Sequence, residues 1–227
     1  MIEFPGSGNP AREDAPAPET ERGFLAEPDT GRGPGVLVLH PWWGLNDTVK
    51  QMCEGLAQAG FTVLAPDLYR GEGVATTIEE AERMSDAIDL PRAEQAVLGA
   101  LDRLRGMVDG LVGVVGFSMG AGYGLWLTRK RPDQIGALVL FDGTGGEAGE
   151  AAPVLGHFAG DDPYEPAESV DELEQQLRDA GRLEALHRYA GVGHWFAEPD
   201  RPEFNPDAAT LAWERTLEFL RRKLSEA

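Results

Sequence analysis

At 227 residues, the chain has the length of one substantial domain. Its 39 acidic residues against 20 basic ones give a net charge of -19, which repels nucleic acid phosphates and anionic membrane surfaces and argues against both as partners. A single cysteine, Cys53, excludes an internal disulfide framework, and no Cys and His spacing suggests a metal site, so neither metal nor cofactor is expected.

The amino terminus, MIEFPGSGNPAREDAPAPET, lacks a basic stretch followed by an apolar one. No apolar run approaches the roughly 18 residues that span a bilayer, so a cytoplasmic protein is expected. IEF and RGFLAE read as the strands of a short hairpin within residues 1–30, and the Pro- and Gly-rich residues 6–20 between them as an exposed loop. VLVLH from Val36 is the first long strand, followed by a helix over TVKQMCEGLAQAG with Asp47 as its N-cap and Gly60 as its C-cap glycine. FTVLAPD from Phe61 is the next strand, and PRAEQAVLGALDRLRGM the next helix. LVGVVGFS from Leu111 leads into a helix over GYGLWLTRKRPD, and ALVLFDG from Ala137 and PVLGHFAG from Pro153 follow as strands. A helix over ESVDELEQQLRDAG, a strand over LEALHRYAG and a closing helix over ATLAWERTLEFLRRKL complete the series. Continuous Val- and Leu-rich runs of this length suit strands buried on both faces. Their alternation with helices predicts a single α/β domain over residues 1–227, with a mostly parallel sheet covered on both faces and the ligand site at the carboxyl ends of the strands.

Gly116, Ser118 and Gly120 lie at the end of the third long strand and match the Gly-x-Ser-x-Gly of a nucleophile elbow, a strained turn that exposes a serine hydroxyl above the sheet. The same stretch does not fit the Gly-x-Gly-x-x-Gly spacing of a dinucleotide site, and no Gly-Lys-Ser or Gly-Lys-Thr of a phosphate loop occurs. A serine needs a base within hydrogen-bond reach, and the base needs an acid to fix its tautomer. In this fold those partners follow as acid, then histidine. Asp161 and Asp162 both follow the strand ending at HFAG, and either suits the acid; His194 sits in the glycine-bounded loop after the next strand. His40, His157 and His187 lie within or beside strand runs and read as structural. The elbow also makes the N–H of Met119 an oxyanion donor. Trp42, Tyr69, Trp195 and Phe196 fall near strand ends and read as walls of an aromatic substrate pocket, while Trp43 and Tyr123 suit core packing equally well.

Over nearly its whole length the chain resembles the dienelactone hydrolase family of α/β-hydrolases. LHPWWGLND at Leu39 to Asp47, APDLYRGEG at Ala65 to Gly73, GFSMG, GDDPYEP and GVGHWFAEPDRPEFNPDAATLAWERTLEFL carry the resemblance. It implies Asp162 as the acid, His194 as the base and the N–H of Trp42 as the second oxyanion donor. Three positions depart from the pattern. Ser118 stands where many relatives carry cysteine, which implies serine-esterase chemistry. Pro41 stands where relatives often have a glutamate associated with that cysteine. Glu198 stands where dienelactone-cleaving relatives have an arginine that holds the substrate carboxylate.

The expected activity is therefore hydrolysis of small esters or lactones through an acyl-enzyme, by a monomer or weak homo-oligomer with little chain left for a lid. A thioesterase and a non-catalytic protein that kept the fold are the competing readings. Arg83 and Arg92 are the cations whose reach toward an anionic substrate the sequence does not specify.

Overall fold

Each of the long apolar runs forms a strand in the computed structural model, which describes residues 1–6, 20–147 and 152–225. The chain divides into two compact units, Met1–Asp109 and Gly110–Ala227.

In the first unit, β1 (Ile2–Pro5) and β2 (Thr20–Ala26) pair antiparallel as the expected hairpin; the loop predicted between them lies mostly outside the described residues. β2 pairs antiparallel with β4 (Thr62–Pro66), which pairs parallel with β3 (Gly35–Leu39), giving the order β1-β2-β4-β3. Every residue of β3 and β4 is buried, and each Val or Leu side chain so removed from water contributes about 1.5–3 kcal/mol. Helix α1 (Asp47–Gln58) buries Val49, Met52, Cys53 and Leu56, spaced as one face of a helix. Its N-cap is Asn46, not the expected Asp47: the Asn46 side chain accepts from the Val49 N–H at 3.0 Å, and Asp47 is the first helical residue, where its charge suits the helix dipole. At the other end Gly60 has φ +103°, the Gly60 N–H donates to the Ala57 carbonyl at 2.9 Å and the Phe61 N–H to that of Leu56 at 3.2 Å, which closes the helix as a Schellman motif.

Helix α2 (Ile78–Asp86) has no counterpart in the sequence reading. It buries only Ala81 and Met84, so its apolar stripe is too thin to stand out. Its start is nevertheless marked: the Thr77 side chain caps the Glu80 N–H, while the Glu80 carboxylate takes the Thr76 N–H at 2.9 Å. Helix α3 (Leu90–Arg105) follows, capped by Asp89.

The second unit holds four parallel strands in the order β5-β6-β7-β8: β5 (Val112–Phe117), β6 (Ile135–Phe141), β7 (Val154–Ala159) and β8 (Leu183–Tyr189). β5 and β7 are buried throughout. β8 ends the sheet and is mostly half-exposed, so the expectation of burial on both faces does not hold for it. Helix α4 (Met119–Lys130) packs on β5 and β6, α5 (Ala167–Asp179) on β8, and α6 (Pro206–Ser225) on β5, β6 and β7. α4 begins three residues before the predicted segment, because Met119-Gly-Ala carries little helical pattern of its own and is held by the turn at Ser118.

Candidate active site

Ser118 lies between the end of β5 and the start of α4 at φ +47° and ψ −111°, a conformation costing a non-glycine residue about 1–3 kcal/mol. Its surroundings hold it there. The Ser118 N–H donates to the Phe141 carbonyl of β6 at 2.8 Å, and its own carbonyl accepts from the Ala121 N–H at 2.9 Å. Gly116 is required beneath the turn: a Cβ there would fall 2.6 Å from the Gly120 carbonyl oxygen and 2.7 Å from the Ala121 Cα. The side chain is left half-exposed, above the N-terminus of α4, whose first residue is Met119.

His194 follows β8 in a series of tight turns; the Phe196 N–H donates to the Gly193 carbonyl at 3.1 Å and the Glu198 N–H to that of Trp195 at 2.9 Å. The imidazole is buried. Its Nδ1 donates to Asp162 Oδ2 at 2.7 Å, which leaves Nε2 to accept from Ser118 Oγ at 2.9 Å.

Asp162 follows β7, with its carboxylate almost wholly buried. The oxygen not used by His194, Oδ1, accepts from the N–H groups of Tyr164 at 2.8 Å and Glu165 at 3.1 Å, so the carboxylate is fixed from both sides. Asp161 is exposed, and its N–H donates to the Val192 carbonyl at 3.1 Å, tying the Asp162 loop to the His194 loop. Of the two neighbouring aspartates, the one in contact with the imidazole is Asp162.

The other histidines have structural partners. His40 accepts the Leu68 N–H at Nε2 and meets the Pro41 carbonyl at Nδ1. His157 lies between the Tyr189 hydroxyl at 2.9 Å and the Thr216 hydroxyl at 3.1 Å, and burial pushes its pKa well below the ordinary value. His187 stacks against it with ring centroids 5.7 Å apart.

Among the aromatic residues assigned to the pocket, Phe196 is fully buried near Phe141 and Tyr189, and Trp195 is buried with its ring edge-on to His194 at 5.3 Å. Tyr164, within the GDDPYEP motif but not among the expected pocket residues, is 42% exposed, with its ring 5.1 Å from that of His194. In the first unit, Trp42 is half-buried and its carbonyl accepts from the Tyr69 hydroxyl at 2.8 Å. Arg92 of that unit pairs with Asp89 at 3.4 Å and lines, with Tyr69, Arg70 and Met84, a cavity of ≈ 290 Å³.

Two further acids near His194 and Asp162 are buried. Asp142, after β6, is pushed well above the usual carboxylate range by burial, with Asp162, Glu198 and Glu165 adding to the effect. Glu198 is raised to about 8, by burial first and then by Asp200, against the opposing charge of Arg201; Glu203 raises it further. The folded state therefore keeps a proton on Glu198 that the unfolded chain releases near its ordinary value of 4.5. The contribution of this group to stability is therefore fully present below that value and is lost as pH rises through about 8. Glu198→Gln is expected to lack this decline, so its urea midpoint should gain on that of the unaltered protein between pH 5 and pH 8.5. Parallel pH dependence of the two midpoints would show that Glu198 ionises normally.

Comparison with known proteins places the chain in a family. The profile of the dienelactone hydrolase family matches residues 22–224. Protein usf of Aquifex pyrophilus is 30% identical over 218 residues, covering 90% of this chain and 94% of that protein. A carboxymethylenebutenolidase of Rhodococcus opacus is 28% identical over 223 residues, covering 88% and 85%. The crystal structure of a dienelactone hydrolase-like promiscuous phosphotriesterase from metagenomic libraries superposes with a TM-score of 0.79 at 22% identity, covering 98% of this chain and 97% of that one. With the family profile spanning nearly the whole chain and the strand-turn-serine-helix unit in place, the chain belongs to the dienelactone hydrolase family, hydrolases of ester or lactone bonds with the α/β-hydrolase fold.

Proposed function

We propose that the protein is a serine hydrolase of small carboxylic esters or lactones that works through Ser118, His194, Asp162 and an acyl-enzyme. The observation that carries this reading is the unbroken hydrogen-bonded chain from Ser118 Oγ through the imidazole to Asp162, at 2.9 and 2.7 Å. Ser118 Oγ attacks the acyl carbon as its proton passes to Nε2 of His194. The tetrahedral oxyanion is met by the Met119 N–H at the head of α4; the resemblance assigns the second donor to the Trp42 N–H. Collapse of the intermediate breaks the bond to the leaving alcohol, which takes the proton from Nε2. Water then attacks the acyl carbon as its proton passes to Nε2; the second tetrahedral intermediate collapses with cleavage of the bond to Ser118 Oγ, which takes the proton back from Nε2, and the acid leaves. Asp162 holds the Nδ1 proton in place and stabilises the imidazolium.

Tyr69, expected in the pocket, is buried, with its hydroxyl engaged by the Trp42 carbonyl at 2.8 Å. Trp195 and Phe196, buried as they are, support the histidine turn, and the exposed ring of Tyr164 takes the place beside the base.

A fluorophosphonate probe tests the reading. It is expected to label Ser118 covalently, one per chain, and to remove hydrolysis of short p-nitrophenyl esters in step with labelling. An unlabelled Ser118 in a protein that still binds small esters would favour the non-catalytic reading, and preference for thioesters in a graded panel would favour a thioesterase.

A further inference from the structure

Three residues directly after β6, Asp142, Gly143 and Thr144, touch both segments that carry the reacting groups. On the nucleophile side, the residue before them, Phe141, takes the Ser118 N–H at 2.8 Å. Gly143 is pressed against the elbow, where a Cβ would fall 2.5 Å from the Ser118 carbonyl oxygen and 2.6 Å from the Ala121 Cβ. On the acid side, Asp142 is fastened to β7 twice: its N–H donates to the His157 carbonyl at 2.9 Å, and its Oδ1 accepts from the Ala159 N–H at 2.7 Å. Ala159 is the last residue of β7, at the start of the segment leading to Asp162. Thr144 Oγ1 donates to Glu165 Oε2 at 2.5 Å, and the Glu165 N–H in turn donates to Asp162 Oδ1 at 3.1 Å.

We propose that Asp142-Gly143-Thr144 is a strap that sets the spacing between Ser118 and Asp162, with Asp142 as a positioning residue for hydrolysis. The proposal rests on the serine hydrolase reading of the same site. The residue type fits the task. Asp142 has φ +45°, a left-handed conformation that Asp and Asn tolerate better than other side-chain-bearing residues. It is 4% exposed, and what β7 uses is its side-chain oxygen acceptor. Asparagine offers the same acceptor at the same backbone angles; alanine offers neither. A catalytic group displaced by about 1 Å loses roughly a hundredfold in rate, so a strap that spans both loops acts on kcat more than on substrate affinity.

The test compares Asp142→Ala with Asp142→Asn on a short p-nitrophenyl ester, following kcat, KM, the rate of fluorophosphonate labelling and the melting temperature. Asp142→Ala is expected to lower kcat and the labelling rate by about 10- to 100-fold with little change in KM, and Asp142→Asn to restore most of both. If Asp142→Ala does not fold, Thr144→Val decides: it removes the Thr144–Glu165 hydrogen bond alone and is expected to lower kcat several-fold at an unchanged melting temperature. A folded Asp142→Ala as active as the unaltered protein, an Asp142→Asn as slow as the alanine variant, or an unaffected Thr144→Val overturns the strap. Turnover that survives loss of the Ser118 hydroxyl counts instead against the hydrolase reading, so the two failures are distinct.

Discussion

Ser118→Ala is expected to lower kcat for short esters by about 10⁶-fold while the protein melts as before. In the proposed mechanism the hydroxyl is the group that forms the acyl bond, so the loss is large: without it His194 has no nucleophile to deprotonate, and only binding and oxyanion stabilisation remain. The fold should tolerate the change. Ser118 is half-exposed, and the hydrogen bonds that hold its turn run through its own main chain, to Phe141 and from Ala121, which alanine keeps. Alanine meets the same strain at φ +47° as serine does. Initial rates on p-nitrophenyl acetate and butyrate, with a thermal melt of both proteins, make the measurement. A normally folded variant that retains a sizeable fraction of the turnover would remove Ser118 from the chemistry.

Asp162→Asn is expected to have the second large effect, a fall in kcat of about 10⁴-fold with KM little changed, if Asp162 is the acid of the proposed triad. The amide oxygen can still take the Tyr164 and Glu165 N–H groups in place of Oδ1. What then faces His194 Nδ1 is an NH₂ group, which pairs with the imidazole tautomer whose proton sits on Nε2. That tautomer points a hydrogen at Ser118 instead of a lone pair, and the imidazolium formed during reaction loses its compensating charge. Asp161→Asn serves as the matched control. Its side chain is exposed and its contribution to the site is a main-chain N–H to Val192, so turnover should stay within about two- to threefold, as for a surface substitution. Equal losses in the two variants would mean that the adjacent carboxylates act together; a larger loss at Asp161 would reassign the acid.

These two variants also separate what could be read along the chain from what could not. The strands over Gly35–Leu39, Thr62–Pro66, Val112–Phe117 and Val154–Ala159 were legible because a strand buried on both faces needs nearly unbroken apolar residues. The elbow was legible because its glycines answer to local sterics, as the 2.6 Å approach at Gly116 shows. Helix α2 escaped because a helix burying only two side chains leaves little periodicity. The start of α4 escaped because Met119-Gly-Ala is helical by virtue of the turn before it, not its composition.

By itself, then, the order of residues determined the α/β alternation and the strained serine turn, since each depends on neighbours within a few positions, and it set an aspartate pair and then a histidine directly after later strands. The resemblance singles out Asp162 of the two consecutive aspartates, and the imidazole contact is with that residue; the tertiary structure alone decided that Phe196 is buried while Tyr164 stands beside the ring, and that Asp142 and Glu198 lie buried near that site. Those outcomes depend on contacts between segments tens of residues apart and on how much water each carboxyl loses there, quantities that no window of sequence contains.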